Sequence, residues 1–231
     1  SDNIALQKLF LDSPDTGKIS VAAQYQINPY QALIGMEVGI SGVVAEHVED
    51  AKIVGLGLVR VGKCQFNDTV TPYALLNNLI VHPHYRGQGI ASGLVAWRID
   101  HVRQEMGDDA TILASIQERN VSSMRVAAKW SDQALGKYVT IALPVRQKPI
   151  AIQDGYVVRI AVHKELETIA NQLNLFYQDY NLYEPVTSKT LAYWLQQSPL
   201  ERPLRQYHII TDKQGSILAG LAVTEQCQAV S

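Results

Sequence analysis

The sequence predicts an α/β protein in which helices flank a sheet. Two observations predict this fold class. Apolar strands follow one another up to residues 74–81, where a glycine-rich turn leads into a helix that ends near residue 106. Residues 156–223 then show the order strand, helix, helix, strand, strand. We therefore expect two sheet-forming parts, at residues 1–148 and 149–231.

The elements before the glycine-rich turn have clear local signals. Helices are predicted at residues 4–11 and 29–35, the second with Asn28 as its N-cap and a proline at its first position. Apolar, β-branched runs separated by turn residues then predict three strands, which follow one another as in a meander. Their predicted bounds are residues 42–46, 53–61 and 73–81.

The elements after the turn alternate between helix and strand. Between residues 95 and 106 apolar side chains recur at spacings of four, three and four, which marks one buried helix face, and Gly107 ends that helix. A short apolar strand is predicted at residues 111–116. A helix at residues 120–130, with Asn120 as its N-cap, and a strand at residues 138–145 complete this part.

The glycine-rich turn, Arg86-Gly87-Gln88-Gly89-Ile90-Ala91, has the features of an anion site. The first N–H groups of a helix lack partners within the helix, and the helix dipole adds positive charge at that end. Glycine lets the backbone approach an anion without an intervening Cβ. The turn does not fit a dinucleotide-binding loop well, and the chain has no Gly-Lys-Ser/Thr sequence typical of nucleotide-triphosphate loops.

The pattern Arg/Gln-x-x-Gly-x-Gly/Ala fits this turn at Arg86, Gly89 and Ala91, and Leu79-Ile80-Val81-His82-Pro83 precedes it. It closely resembles the acyl-CoA signature of the GNAT superfamily of N-acetyltransferases. The element order also matches that superfamily over residues 1 to about 148, although the family's first strand should precede residue 1. The resemblance implies the GNAT fold, with a mixed central sheet flanked by helices, acetyl-CoA as the cosubstrate and no metal.

The resemblance also implies which residues contact the cosubstrate. In this superfamily the strand before the turn and the next strand splay apart, and the pantetheine arm bonds to exposed backbone in the gap. Asn120 and Ser123 correspond to positions near the far end of that arm, with simple helix capping as the alternative. The expected contacts are Leu79, Ile80, Val81, Arg86, Gly87, Gln88, Gly89, Ile90, Ala91, Asn120 and Ser123.

The usual acid and base of the family are missing from their expected positions. Asn77 stands at the position of the glutamate base, and Ala127 at that of the tyrosine acid. Because side chains alternate along a strand, Tyr73 and Asn77 share a face. Tyr73 is a candidate donor to the departing thiolate and Asn77 a candidate to orient a water, with packing as the alternative. Tyr138 is a further candidate that packing also explains.

The second part resembles the opening half of another GNAT fold, because residues 217–223 parallel residues 53–59. No second phosphate loop follows, which leaves two hypotheses. The sequence is a fragment of a longer tandem protein, or a shortened second domain has its exposed edge strand covered in a homodimer. An aromatic cluster lies between its helices, in a region that often forms a wall of the acceptor site in this family. Packing is the alternative explanation. It comprises Phe176, Tyr177, Tyr180 and Tyr183.

Composition limits the partners. With 20 basic and 22 acidic side chains, the net charge of −2 gives no indication of a nucleic-acid or anionic-membrane partner. No apolar run reaches the ~18 residues of a membrane helix. Two cysteines suit a reducing cytosol, so a cytoplasmic location is expected. His82 and His84 are interpreted as solvated loop residues rather than metal ligands.

Three functional hypotheses follow from these observations. The first is an N-acetyltransferase that acts on a primary amine of a small acceptor. The second, which the missing acid and base favour, is a catalytically degenerate module that binds acyl-CoA. The third is a structural or regulatory partner of another chain.

Overall fold

The computed structural model describes residues 2–16, 20–21, 23–137, 139, 148 and 151–230. The strand predicted at residues 138–145, with Tyr138, lies outside the described residues. Within the described ranges, none of the helices is both long and apolar enough to span a membrane. The elements before residue 130 are α1 (Asp2–Asp12), β1 (Asp15–Thr16), β2 (Ser20–Val21), α2 (Pro29–Met36), β3 (Ile40–His47), β4 (Lys52–Phe66), β5 (Thr69–Val81), α3 (Ile90–Met106), β6 (Thr111–Ala114) and α4 (Val121–Ala127).

A mixed sheet in the order β3-β4-β5-β6 organises the first part, as predicted. Its first three strands are antiparallel, and β6 runs parallel to β5. α1 covers one face, where Leu9 and Phe10 pack near Leu56. α3 covers the other face, where Val95 and Val102 belong to the same core cluster as Val59, Ala74 and Leu76. The sheet is therefore buried on both sides at its centre.

Local signals explain most boundaries of the first part. The side chain of Asn28 accepts a hydrogen bond from the N–H of Gln31 at 3.1 Å, which caps α2. Gly107 ends α3 with a φ of +87°. β4 and β5 extend beyond their predicted bounds because Asn67 and Asp68 form a tight hairpin turn with φ values of +48° and +62°. The two-residue strands β1 and β2 were not predicted.

The second part has the predicted order of strand, helix, helix, strand, strand. Its elements are β7 (Val157–Ile160), α5 (Leu166–Phe176), α6 (Ser188–Gln196), β8 (Arg205–Thr211) and β9 (Ile217–Thr224). The strands form an antiparallel sheet, β7-β8-β9. Leu166 and Ile169 of α5, Leu191 of α6 and Ile209 of β8 form a separate buried core.

Polar contacts join the two parts at the end of α2. The guanidinium of Arg205 donates hydrogen bonds to the carbonyl oxygens of Gln197 at 2.9 Å and Trp194 at 3.1 Å, and also to that of Met36. Gln197 donates in turn to the carbonyl of Glu37 at 3.1 Å. Arg205 is 8% exposed, so these contacts are buried between the parts.

Candidate functional site

The turn before α3 presents its backbone N–H groups to solvent. Gly87 and Gly89 have φ values of +80° and +83°, and no side chain caps the helix at Gly89. Within the part of the chain that the structure describes, no protein acceptor takes an N–H of residues 87–92. A Cβ added at either glycine would meet no described atom within 4 Å. The geometry is therefore that of an open anion site.

Two cationic side chains flank this turn. Arg86 is exposed, and its Nε donates to the carbonyl of Val81 at 3.0 Å. The Nζ of Lys129 donates to the hydroxyl of Ser92 at 3.3 Å, at the first turn of α3. Both positive charges add to the field of the helix dipole. Sequence reasoning missed Lys129, because only the fold brings residue 129 next to residue 92.

β5 and β6 separate on the side of the turn. Their pairing runs from Tyr73 with Thr111 to Leu76 with Ala114 and stops there. β5 continues to Val81. Over residues 77–81 it pairs with β4 and with no other described strand. Leu79 and Ile80 thus lie along an open strand edge, whereas the carbonyl of Val81 already accepts from Arg86.

A β-bulge lies at the start of this gap. Leu58 pairs with Asn77 and Leu56 pairs with Ile80, so Gly57 alone opposes two residues of β5. The first of these two, Asn78, has a φ of +45° and is exposed. A bulge changes the direction of backbone groups locally, and here it does so where β5 leaves β6.

Asn120 caps α4 in the structure. Its side-chain oxygen accepts a hydrogen bond from the N–H of Ser123 at 3.0 Å. This hydrogen bond is the helix capping given above as the alternative. It does not use the Ser123 hydroxyl or the Asn120 amide nitrogen. Contact of Asn120 and Ser123 with acetyl-CoA stays a prediction.

Tyr73 and Asn77 lie at different places relative to the gap. Tyr73 pairs with Thr111 inside the closed part of the β5–β6 pair, roughly 13 Å along the strand from Asn77. The Tyr73 hydroxyl donates to Oε1 of Glu184 at 2.6 Å and accepts a hydrogen bond from Arg60. Burial and the hydrogen bond to Glu184 raise the pKa of Tyr73, which keeps the hydroxyl protonated. A catalytic role for either residue stays a prediction.

The second part of the chain supplies Glu184 to this region. Nη2 of Arg60 donates to both oxygens of Glu184 at 2.7 and 2.6 Å, and Nε of Arg60 lies 3.9 Å from Oε2 of Glu37. We call Arg60, Tyr73 and Glu184 the Arg60 cluster. No sequence signal indicated it, because Arg60 and Glu184 are 124 positions apart.

The predicted aromatic cluster adjoins the Arg60 cluster. The N–H of Gln65, near the end of β4, donates to the carbonyl of Tyr183 at 2.7 Å, and the N–H of Leu182 donates to the carbonyl of Gln65 at 2.7 Å. The rings of the cluster contact one another at centroid separations of 4.8–6.3 Å. The aromatic cluster therefore lies against the β4–β5 hairpin, next to Glu184 and the Arg60 cluster.

His82 is buried, so its interpretation as a solvated residue is wrong. It is 8% exposed, its Nε2 lies 3.7 Å from Oδ2 of Asp12, and its Nδ1 accepts from the N–H of His84 at 3.3 Å. Asp12, at the C-terminal end of α1, thus lies next to the residue that follows β5. Desolvation lowers the pKa of His82.

The Arg60–Glu184 pair should couple more strongly than an ordinary surface ion pair. We expect a double-mutant cycle with Arg60→Gln and Glu184→Gln to give about 1–2 kcal/mol of coupling in the free energy of unfolding, because Nη2 of Arg60 contacts both carboxylate oxygens and the contact is part-buried. Asp100 and Arg103, 3.6 Å apart and more than half exposed, are the matched control and should couple by at most about 0.5 kcal/mol. Equal coupling in the two cycles, measured by urea unfolding, would contradict this prediction.

Comparison with solved structures finds acetyltransferases among the similar proteins. A Trypanosoma brucei acetyltransferase is 17% identical, with 62% of this chain and 93% of that chain covered and a TM-score of 0.45. An aminoglycoside antibiotic 6'-N-acetyltransferase from Acinetobacter haemolyticus is 19% identical over 51% of this chain and 77% of its own, at a TM-score of 0.39. AAC(6')-Iy, in complex with a CoA-containing bisubstrate analogue, is 15% identical over 47% of this chain and 72% of its own, at a TM-score of 0.38.

The family assignment comes from the sequence itself. A search of the curated proteins found no match. The family model for the acetyltransferase (GNAT) family matches residues 17–131, which include β3 to β6, the glycine-rich turn, α3 and α4. Through residues 17–131, this chain therefore belongs to the GNAT acetyltransferase family.

Proposed function

We propose that the protein transfers the acetyl group of acetyl-CoA to a primary amine of a small acceptor. One observation carries this proposal: the free N–H groups of residues 87–92 adjoin the gap between β5 and β6. The free N–H groups suit a pyrophosphate, and the gap suits an extended arm that hydrogen-bonds to the backbone of a strand. Their adjacency suits a cosubstrate that has both.

The chain's own groups would then act at defined places. The N–H groups of the turn, assisted by Arg86 and Lys129, hold the pyrophosphate. The backbone of Leu79 and Ile80 orients the pantetheine arm in the gap. Acetyl-CoA supplies an activated acyl group, and a backbone N–H of the bulged segment of β5 stabilises the negative charge that develops on the acyl oxygen.

Acetyl transfer forms an N–C bond and breaks the C–S bond, so one proton must leave the amine and the thiolate must gain one. Asn77 cannot accept a proton at neutral pH, and we propose that it orients a water which does. Tyr73 is the candidate proton donor. Because it lies roughly 13 Å along β5 from Asn77 and donates to Glu184, it would have to give up that hydrogen bond and pass its proton to the thiolate through intervening water. Proximity alone lowers the barrier by several kcal/mol, so an amine of low pKa needs no strong base.

The acceptor would enter on the side of the aromatic cluster. The carbonyl of Tyr183 accepts from the N–H of Gln65 in β4, and the carboxylate of Glu184 accepts from the hydroxyl of Tyr73 in β5. Residues 1–148 would form the acetyl-CoA-binding domain and residues 149–231 a partial GNAT-like domain. The separate buried core of the second part supports this division.

A catalytically degenerate module that binds acyl-CoA is the second candidate. Asn77 and Ala127 favour it, because neither can act as an acid or a base. This candidate shares the turn and the gap with the first and differs from it in having no acceptor.

Two measurements separate these candidates. We expect calorimetry to show micromolar binding of acetyl-CoA, and thiol release to rise above background with at least one member of a panel of amines, arylamines, amino acids and peptides. Binding without turnover on any acceptor would favour the degenerate module. Absence of binding would overturn both candidates and favour the third hypothesis, a structural or regulatory partner.

A further inference from the structure

Arg98 is a buried cation without an acidic partner among the described residues. It lies on α3, is 1% exposed and is the largest fully buried side chain in the part of the chain that the structure describes. Its guanidinium donates hydrogen bonds to carbonyl oxygens, from Nε to Leu94 at 3.1 Å and from Nη1 to Leu58 at 2.8 Å and Asn77 at 3.0 Å. Desolvation lowers the pKa of Arg98 to about 10, which still leaves it charged at neutral pH. Burying such a charge is costly, so its position requires an explanation.

The two strand carbonyls that Arg98 binds flank the β-bulge. Leu58 and Asn77 are the last paired residues before the register shifts. A bulge disrupts the regular ladder, and here one nitrogen of Arg98 bridges both strands at the disruption. The guanidinium thus fixes the bulge where β5 leaves β6.

Gly57 provides the space that Arg98 occupies. A Cβ at this position would lie 2.9 Å from Nε and 3.1 Å from Cζ of Arg98. Gly57 is also the residue that opposes the two bulged residues of β5. The bulge, the glycine and the arginine therefore form one arrangement.

A single peptide group connects the Arg98–Asn77 hydrogen bond to the bulged residue Asn78 at the gap. The carbonyl oxygen of Asn77 and the N–H of Asn78 belong to the same peptide group. A hydrogen bond from a cation to that oxygen polarises the group, which makes its N–H a stronger donor.

We propose that Arg98 is a positioning residue, which holds the bulge of β5 and strengthens the Asn78 N–H as the donor to the acyl oxygen of acetyl-CoA. This inference rests on the proposed function, since it needs the acyl group in the gap. Arg98 touches neither the cosubstrate nor the acceptor and acts through the Asn77–Asn78 peptide.

The test measures hydrogen bonding to the acyl oxygen through the stretching frequency of the thioester carbonyl. Acetyl-CoA labelled with ¹³C at the acetyl carbonyl is bound to the full chain, and isotope-edited infrared spectra report the thioester carbonyl stretch. A hydrogen bond lowers this frequency. We expect a lowered frequency with the native chain and a frequency nearer that of free acetyl-CoA with Arg98→Met, while the Kd for acetyl-CoA changes by less than about threefold. With an acceptor that turns over, kcat should fall roughly tenfold or more and KM should change little.

Arg103→Met is the matched control, because Arg103 lies on the same helix with its side chain 58% exposed. It should leave the frequency and kcat unchanged. If Arg98→Met does not fold, Gly57→Ala displaces the guanidinium without removing it and should raise the frequency in the same way. A native-like frequency in whichever of these two variants folds would overturn the role of Arg98 and leave the proposed function standing. Failure of the native chain to bind acetyl-CoA would overturn both.

Discussion

Replacing Gly89 with leucine should weaken the binding of acetyl-CoA about 100-fold, which corresponds to about 2.7 kcal/mol. A side chain at Gly89 meets no described protein atom within 4 Å, so it would project into the open space above the turn. In the proposed complex that space holds the pyrophosphate. The loss therefore arises between the leucine and the cosubstrate rather than within the protein. Isothermal titration calorimetry with acetyl-CoA measures it.

Gly215→Leu is the control for backbone strain. Gly215 has a φ of +86° and open space around its Cβ position, as Gly89 has, but it lies in the turn between β8 and β9. Leucine at either position pays about 1–2 kcal/mol for a left-handed backbone. We expect both variants to lose similar stability and Gly89→Leu alone to lose affinity. Unchanged binding by a folded Gly89→Leu variant would remove the turn from the site.

The features predicted correctly from the sequence are those with local causes. A helix N-terminus after two glycines needs only the residues of the turn, and Asn28 and Gly107 signal helix ends by their own chemistry. The succession of apolar runs predicted the strands, and the resemblance to the GNAT superfamily implied that they form a mixed sheet. The longer hairpin of β4 and β5 had a local signal too, since Asn67 and Asp68 both tolerate a positive φ.

The residues missed from the sequence act through contacts that only the fold creates. Lys129, just after α4, reaches Ser92 of α3, and Glu184 reaches Arg60 from the second part of the chain. Arg98 falls within a helix whose apolar periodicity was recognised, but a charged residue in an amphipathic helix normally faces solvent. The burial of Arg98 depends on the space that Gly57 leaves on β4, because a Cβ at this position would meet the guanidinium. The burial of His82 likewise depends on the packing of α1.

Replacing Arg205 with methionine should lower the free energy of unfolding by about 3 kcal/mol. The change removes the donor from the carbonyls of Trp194, Gln197 and Met36 and the stacking of the guanidinium on the Trp194 ring, whose centroid lies 4.7 Å from Cζ. Methionine fills a similar volume, so the loss reflects mainly unsatisfied buried carbonyls rather than a cavity. Urea denaturation followed by circular dichroism measures the change.

The same experiment tests whether Arg205 couples the two parts of the chain. Met36 ends α2 in the first part, whereas Trp194 and Gln197 belong to the second, so the variant should also unfold with a smaller m-value if the parts no longer unfold together. Arg202→Met is the control, because that side chain is 55% exposed and should change stability by about 0.5 kcal/mol or less. A loss in Arg205→Met no greater than in Arg202→Met would mean that other contacts hold the second part against the first. Glu184 would then owe its place beside Tyr73 to the Arg60 cluster and the backbone contacts of the β4–β5 hairpin.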